Sequence, residues 1–151
     1  MALAKGSKAP DFTLPGTSGK DFSLYTVMKG KPCVLYFYPK DFTSVCTAEA
    51  CGFRDHFEDF RDLDITVLGI STDDIATHNR FKEQFNLPFE LLSDADGSVS
   101  KLYGAKMPIL NMSKRITYLL DGEQRVQSTF SDLFNAKKHI QSVLEEMKGK
   151  K

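Results

Sequence analysis

Three short apolar runs constrain this chain most. Cys33 to Tyr38 (CVLYFY) is unbroken and stops at Pro39. Ile65 to Ile70 (ITVLGI) and Ile116 to Leu120 (ITYLL) repeat the pattern. A strand that is apolar at successive positions is buried on both faces, as at the centre of a parallel or mixed sheet. Asp121-Gly122 follows the third run as a turn, and Arg125 to Phe130 then alternates weakly, which predicts an antiparallel hairpin.

Helical patterns fill the gaps. Phe53, Phe57 and Phe60 recur at helical spacing within Ser44 to Leu63. Phe81 and Phe85 share a face between Asp74 and Asn86, and Pro88 stops that helix. Ala95 to Tyr103 predicts a short helix closed by Gly104, and Asn135 to Lys148 carries the stripe Ile140, Val143, Leu144 and Met147. Before them, Lys8 to Lys31 holds Pro10, Pro15, Gly16, Gly19 and Gly30, and reads as short extended pieces and turns. A βαβ start with an antiparallel ββα end predicts an α/β fold, a mixed central sheet flanked by helices. With 151 residues and no repeat or linker, one domain over residues 1–151 is expected.

Charge narrows the partners. Lys+Arg and Asp+Glu both number 20. A balanced surface argues against nucleic acid or an anionic membrane as partner. No apolar run approaches the ~20 residues that span a bilayer. Met1 to Gly6 lacks the apolar core of a secretory signal, so a cytoplasmic location is expected. Three cysteines are too few for a disulfide scaffold; in a reducing compartment each is structural, catalytic or metal-binding.

The stretch that carries chemistry is Tyr38-Pro39-Lys40-Asp41-Phe42-Thr43-Ser44-Val45-Cys46-Thr47-Ala48-Glu49-Ala50-Cys51. A buried strand ends, a loop follows, and a helix begins near Thr43 or Ser44. Ligands of open α/β sheets bind at such strand ends. Cys46 falls in the first helical turn, where unpaired N–H groups and the helix dipole favour thiolate over thiol. A nucleophile with a depressed pKa is one reading; a small packed hydrophobe is the other. The Thr43 hydroxyl is placed to cap the helix or reach a substrate, and Pro39 to shape the pocket and shield the sulfur.

Cys51 lies five residues on. In an intact helix that puts the two Cα atoms roughly 8–9 Å apart on different faces. A disulfide needs Cα atoms within about 7 Å. Either the first turns unwind when both thiols react, or Cys51 is a core residue. The C-x-x-C spacing of a thioredoxin-type dithiol is absent, and Cys46, Cys51 and His56 lack the paired spacing of zinc ligands. Cys33 lies outside these motifs and reads as a packing thiol, with a secondary resolving role as the alternative. His56, His78 and His139 read as surface or satisfied histidines.

The chain resembles the peroxiredoxins, and within them the bacterioferritin-comigratory-protein or Q-type branch. The family pattern Pro-x-x-x-Thr-x-x-Cys is present as Pro39, Thr43 and Cys46. The branch places a second cysteine five residues on, at Cys51. Phe37-Tyr38-Pro39-Lys40-Asp41, Cys51-Gly52-Phe53-Arg54-Asp55, Ala9-Pro10-Asp11-Phe12 and Ser93-Asp94 match as well. The resemblance implies a thioredoxin-like fold and a thiol-dependent peroxidase acting on hydrogen peroxide and organic hydroperoxides. It implies Cys46 as the peroxidatic and Cys51 as the resolving cysteine, with Thr43 bonding the peroxide and Pro39 lining the pocket. Arg115, before Ile116, matches a family arginine, and Glu49 a supporting glutamate. A thioredoxin or glutaredoxin-like reductant is implied, with no metal, haem or flavin. An intramolecular disulfide makes a monomer the expected state. Two rival readings share the scaffold: a redox-sensing module and a general disulfide oxidoreductase. Two departures stand out: Thr43-Ser44-Val45-Cys46 replaces the frequent Thr-Pro-Gly-Cys, and Lys106 to Lys114 differs from the usual run before the arginine.

Overall fold

The structure, a computed structural model, describes residues 2–130 and residue 145. The helix expected over Asn135–Lys148 lies outside the described residues apart from Glu145.

The three apolar runs become strands at the heart of one sheet. In chain order the elements begin with β1 (Thr13–Pro15), β2 (Asp21–Ser23), α1 (Leu24–Val27), β3 (Cys33–Phe37) and α2 (Ser44–Asp55). They continue with α3 (Phe57–Asp62), β4 (Thr66–Ser71), α4 (Ile75–Phe85) and β5 (Glu90–Ser93). The series ends with α5 (Ser98–Leu102), β6 (Ile116–Leu120) and β7 (Val126–Phe130). The sheet order is β5-β4-β3-β6-β7. β3 pairs parallel with β4, and β4 with β5, whereas β6 runs antiparallel to both β3 and β7. This is the mixed sheet that the apolar runs and the hairpin signal predict. Every residue of β3 and β6 is buried, as a central strand requires.

The pleat divides the core between two faces. Cys33, Leu35 and Phe37 point to one face, joining Phe12, Phe22, Leu68 and Tyr118. Val34, Tyr36 and Tyr38 point to the other, joining Cys46, Phe53, Phe60 and Phe81. Cys33 and Cys46 therefore lie on opposite sides of the sheet. Burial pushes the Cys33 thiol up to about 12, which keeps it protonated and inert, as a packing thiol is.

The structure departs from the pattern reading in three places. The expected continuous helix over Ser44–Leu63 is broken at His56, whose φ of −102° and ψ of 12° are not helical. The kink still buries Phe53 and Phe60, with ring centroids 5.6 Å apart. A 3.6-residue period survives a one-residue kink, so the pattern could not show it. Glu90–Ser93 forms a strand that periodicity misses, because four residues are too few to display alternation. The segment Lys8 to Lys31, read as extended pieces and turns, pairs as the small sheet β1–β2 but also holds the one-turn helix α1. The Asp74–Asn86 helix is as expected. Asp74 Oδ1 accepts from Thr77 N at 2.8 Å, and Asn86 closes the helix in the left-handed region at φ 51°. Among the described residues no helix is long and apolar enough to cross a membrane.

Candidate active site

β3 delivers the chain to the site. It ends at Phe37, and residues 38–43 turn over the carboxyl end of the sheet before α2 starts with Thr43 as its N-cap. Cys46 is the third residue of α2 and is buried, with 2% exposure. Glu49 lies three residues on, so both side chains leave the same side of the helix.

Arg115 meets them from the sheet. It precedes β6, whose first residue Ile116 pairs with Phe37 at the end of β3. That register carries the guanidinium to the first turn of α2. Arg115 Nη2 donates to Cys46 Sγ at 3.0 Å, and Nη1 donates to Glu49 Oε1. All three side chains are buried. Burial pushes the Glu49 carboxyl up to about 7, with Arg115 acting against it. Burial also disfavours the charge on Arg115, but Glu49 and Cys46 outweigh it and raise its pKa. One sulfur thus receives a permanent cation from one side and the positive end of a helix dipole from the other.

The remaining candidates are arranged differently. Thr43 is exposed, and its hydroxyl does not cap the helix. Its Oγ1 donates to Lys40 O at 2.9 Å, which commits the proton and leaves the oxygen as an acceptor. Pro39 is half-buried at the base of the loop. Cys51 is half-buried, and it is free, as are the buried Cys33 and Cys46. Because α2 runs unbroken through both positions, Cys46 and Cys51 are held too far apart to bond.

The site has a second, buried part that the sequence reading does not assemble. Tyr38 OH donates to Asp41 Oδ1 at 2.5 Å, and His78 Nδ1 lies 2.6 Å from Asp41 Oδ2. The Asp41 backbone N–H donates to Asp73 Oδ2 at 2.8 Å. His78 is a satisfied histidine, as expected, but its partner is the loop before Cys46. His56, half-buried, pairs with Asp59 at 3.1 Å; His139 lies outside the described residues.

Comparison with known proteins shows the family. The AhpC/TSA family model matches residues 5–129, and the chain belongs to that family. Peroxiredoxin Q of Oryza sativa subsp. japonica, a chloroplastic protein, is 43% identical over 143 residues, covering 94% of this chain and 65% of its own length. This chain therefore spans just under two thirds of that relative. A Coxiella burnetii protein provisionally named peroxiredoxin bcp is 46% identical over 129 residues, covering 82% of this chain and 85% of its own. Among solved structures, peroxidoxin BcpB of Mycobacterium tuberculosis superposes with a TM-score of 0.91 at 33% identity, covering 97% of both chains. The fold is the thioredoxin-like fold of the peroxiredoxins.

Proposed function

We propose that the chain is a thiol-dependent peroxidase that reduces hydrogen peroxide and organic hydroperoxides. The observation that carries this reading is the fork of Arg115, with one arm on Cys46 Sγ at 3.0 Å and the other on Glu49. Cys46 attacks one peroxide oxygen as the thiolate and becomes sulfenic acid, and the other oxygen leaves as water or an alcohol after protonation. Charge develops on that leaving oxygen, and the buried guanidinium is the donor placed to stabilise it. The Thr43 oxygen, its proton already committed to Lys40, accepts a hydrogen bond from the peroxide. Pro39 contributes no N–H to the loop and limits water at the sulfur.

Cys51 then attacks the sulfenic sulfur, giving a disulfide and water. The 8–9 Å estimate for an intact helix requires the start of α2 to open first. A thioredoxin or glutaredoxin-like protein returns both thiols by exchange. The thiols carry all the redox chemistry in this scheme. The chain works as one domain over residues 1–151, as a monomer, in the cytoplasm; an intramolecular resolving thiol needs no second subunit.

The test is steady-state peroxide consumption with a thioredoxin recycling system. Sustained turnover, abolished in Cys46→Ser, is expected. A single stoichiometric oxidation without recycling would indicate a sensor, and reduction of insulin without peroxide turnover would indicate a general disulfide oxidoreductase.

A further inference from the structure

The loop before Cys46 is fastened to α4 by a buried polar pair that the peroxidase chemistry does not use. Asp41 is 3% exposed and His78 is fully buried. His78 Nε2 lies 3.0 Å from the Leu92 carbonyl oxygen, which can only accept, so Nε2 carries a proton. The Nδ1···Oδ2 distance of 2.6 Å on the other side is that of a strong hydrogen bond, so a second proton joins His78 to Asp41. Tyr38 OH occupies the other carboxylate oxygen of Asp41 at 2.5 Å. Asp73, after β4, holds the Asp41 backbone N–H and is itself bonded by Ser71 Oγ at 2.7 Å. Asp41 is thus tied to the end of β3, to the segment after β4, and to α4, while His78 ties α4 to β5.

The next residue is strained. Phe42 has φ 66°, a left-handed conformation that costs a bulky side chain energy. Its ring packs edge-on against Phe81, with centroids 5.1 Å apart, and near Phe85 at 6.4 Å. His78, Phe81 and Phe85 form one face of α4, and that face grips two consecutive loop residues. Thr43, the N-cap of α2, comes directly after them.

We propose that Asp41 and His78 are positioning residues: a latch that holds the upstream end of α2 and sets how the oxidised Cys46 divides between two fates. This rests on Cys46 and Cys51 reacting as proposed above. In the first fate α2 opens, and Cys46–SOH plus the Cys51 thiol gives a disulfide and water. In the second the helix stays closed, and Cys46–SOH plus another ROOH gives the sulfinic acid and ROH. With the latch closed, everything up to Asp41 is fixed and opening is confined to residues after it. With the latch broken, the strained Phe42 can relax, the helix start opens more often, and the disulfide is favoured.

The experiment uses the tryptic peptide Asp41–Arg54, which contains both cysteines. The reduced full-length chain is exposed to a fixed excess of hydrogen peroxide, quenched with a thiol blocker and digested. The sulfinic-to-disulfide ratio is then read by mass. His78→Leu removes the bond to a charged partner, and a fall in that ratio of about tenfold is expected. Asp41→Asn rescues the wild-type ratio, because its amide can donate to Nδ1 while its oxygen still accepts from Tyr38. Tyr38→Phe, which deletes one oxygen and keeps the ring, shifts the ratio in the same direction by a smaller factor and serves if His78→Leu does not fold. An unchanged ratio in the folded His78→Leu or Tyr38→Phe chain would overturn the latch, as would Asp41→Asn behaving like His78→Leu. A wild-type peptide that remains fully blocked would instead remove the underlying peroxidase reading, and the latch with it.

Discussion

Arg115 and Cys46 are 69 residues apart in sequence, yet Nη2 of one lies 3.0 Å from Sγ of the other. The contact exists because β6 pairs with β3 in the register Phe37↔Ile116. A lysine offers a single charged point where arginine offers a planar fork, so it cannot serve Sγ and Glu49 together. Arg115→Lys is expected to lower the rate of peroxide attack by about 100-fold, the usual scale for losing an oriented donor to a developing oxyanion. Competition for hydrogen peroxide against a reference peroxidase measures it.

Glu49 makes stability depend on pH. Its carboxyl titrates at about 7 in the folded chain against an ordinary value of 4.5. A raised carboxyl pKa means that the folded state holds the proton longer, so stability is greatest below about pH 4.5 with respect to this group. It declines as pH rises toward about 7, by roughly 3 kcal/mol from this group alone. Glu49→Gln removes the titration. Its midpoint of urea unfolding should lack this decline between pH 4.5 and 7, whatever its absolute stability. An equal decline in both proteins would assign the effect elsewhere.

Gly69 is opposite Tyr36 in the β3–β4 register. A Cβ there would lie 2.7 Å from Tyr36 Cζ and Oη and 2.8 Å from Leu91 Cδ2. Tyr36 cannot yield easily, since it stacks on Phe53 at 4.7 Å and on Tyr38 at 5.3 Å. Gly69→Ala is expected to destabilise the chain by about 1–3 kcal/mol, as overpacking does. Thermal unfolding reads the loss.

Cys33 is expected to stay outside the redox cycle. It is fully buried on the opposite sheet face from Cys46, with its thiol pushed up to about 12. Cys33→Ala should keep peroxidase turnover near wild type while costing about 1 kcal/mol of stability for the small cavity. In the native wild-type chain, iodoacetamide should label Cys46 and Cys51 and spare Cys33; labelling of Cys33 at a comparable rate would contradict this.

Much of this arrangement was legible in the residues, for a physical reason. Doubly buried strands cannot hide their composition, so β3, β4 and β6 stood out as apolar runs. Cys46 stood out because it falls in the first turn of a helix after a strand-end loop, where unpaired N–H groups and the helix dipole favour a thiolate. The four-residue β5 and the kink at His56 were not legible, because four residues are too few to display alternation and a one-residue kink leaves a helical stripe intact. The Asp41–His78 pair was not legible either. Its members are 37 residues apart and meet only because α4 packs over the loop. A lone histidine reads the same from sequence whether it faces water or a carboxylate. Thr43 shows a subtler limit. Its place as the N-cap was readable, but not that its hydroxyl would turn to Lys40 O and away from the helix.

The most direct test of the account is the mass of the Asp41–Arg54 peptide after one equivalent of hydrogen peroxide, with free thiols blocked before digestion. The account predicts a loss of two hydrogens with neither cysteine blocked: Cys46 and Cys51 joined, and the start of α2 opened. A disulfide to the peptide carrying Cys33, or a trapped oxidised Cys46 with Cys51 still blocked, would contradict the resolving role of Cys51. Both thiols blocked and the peptide otherwise unchanged would contradict the peroxidase itself.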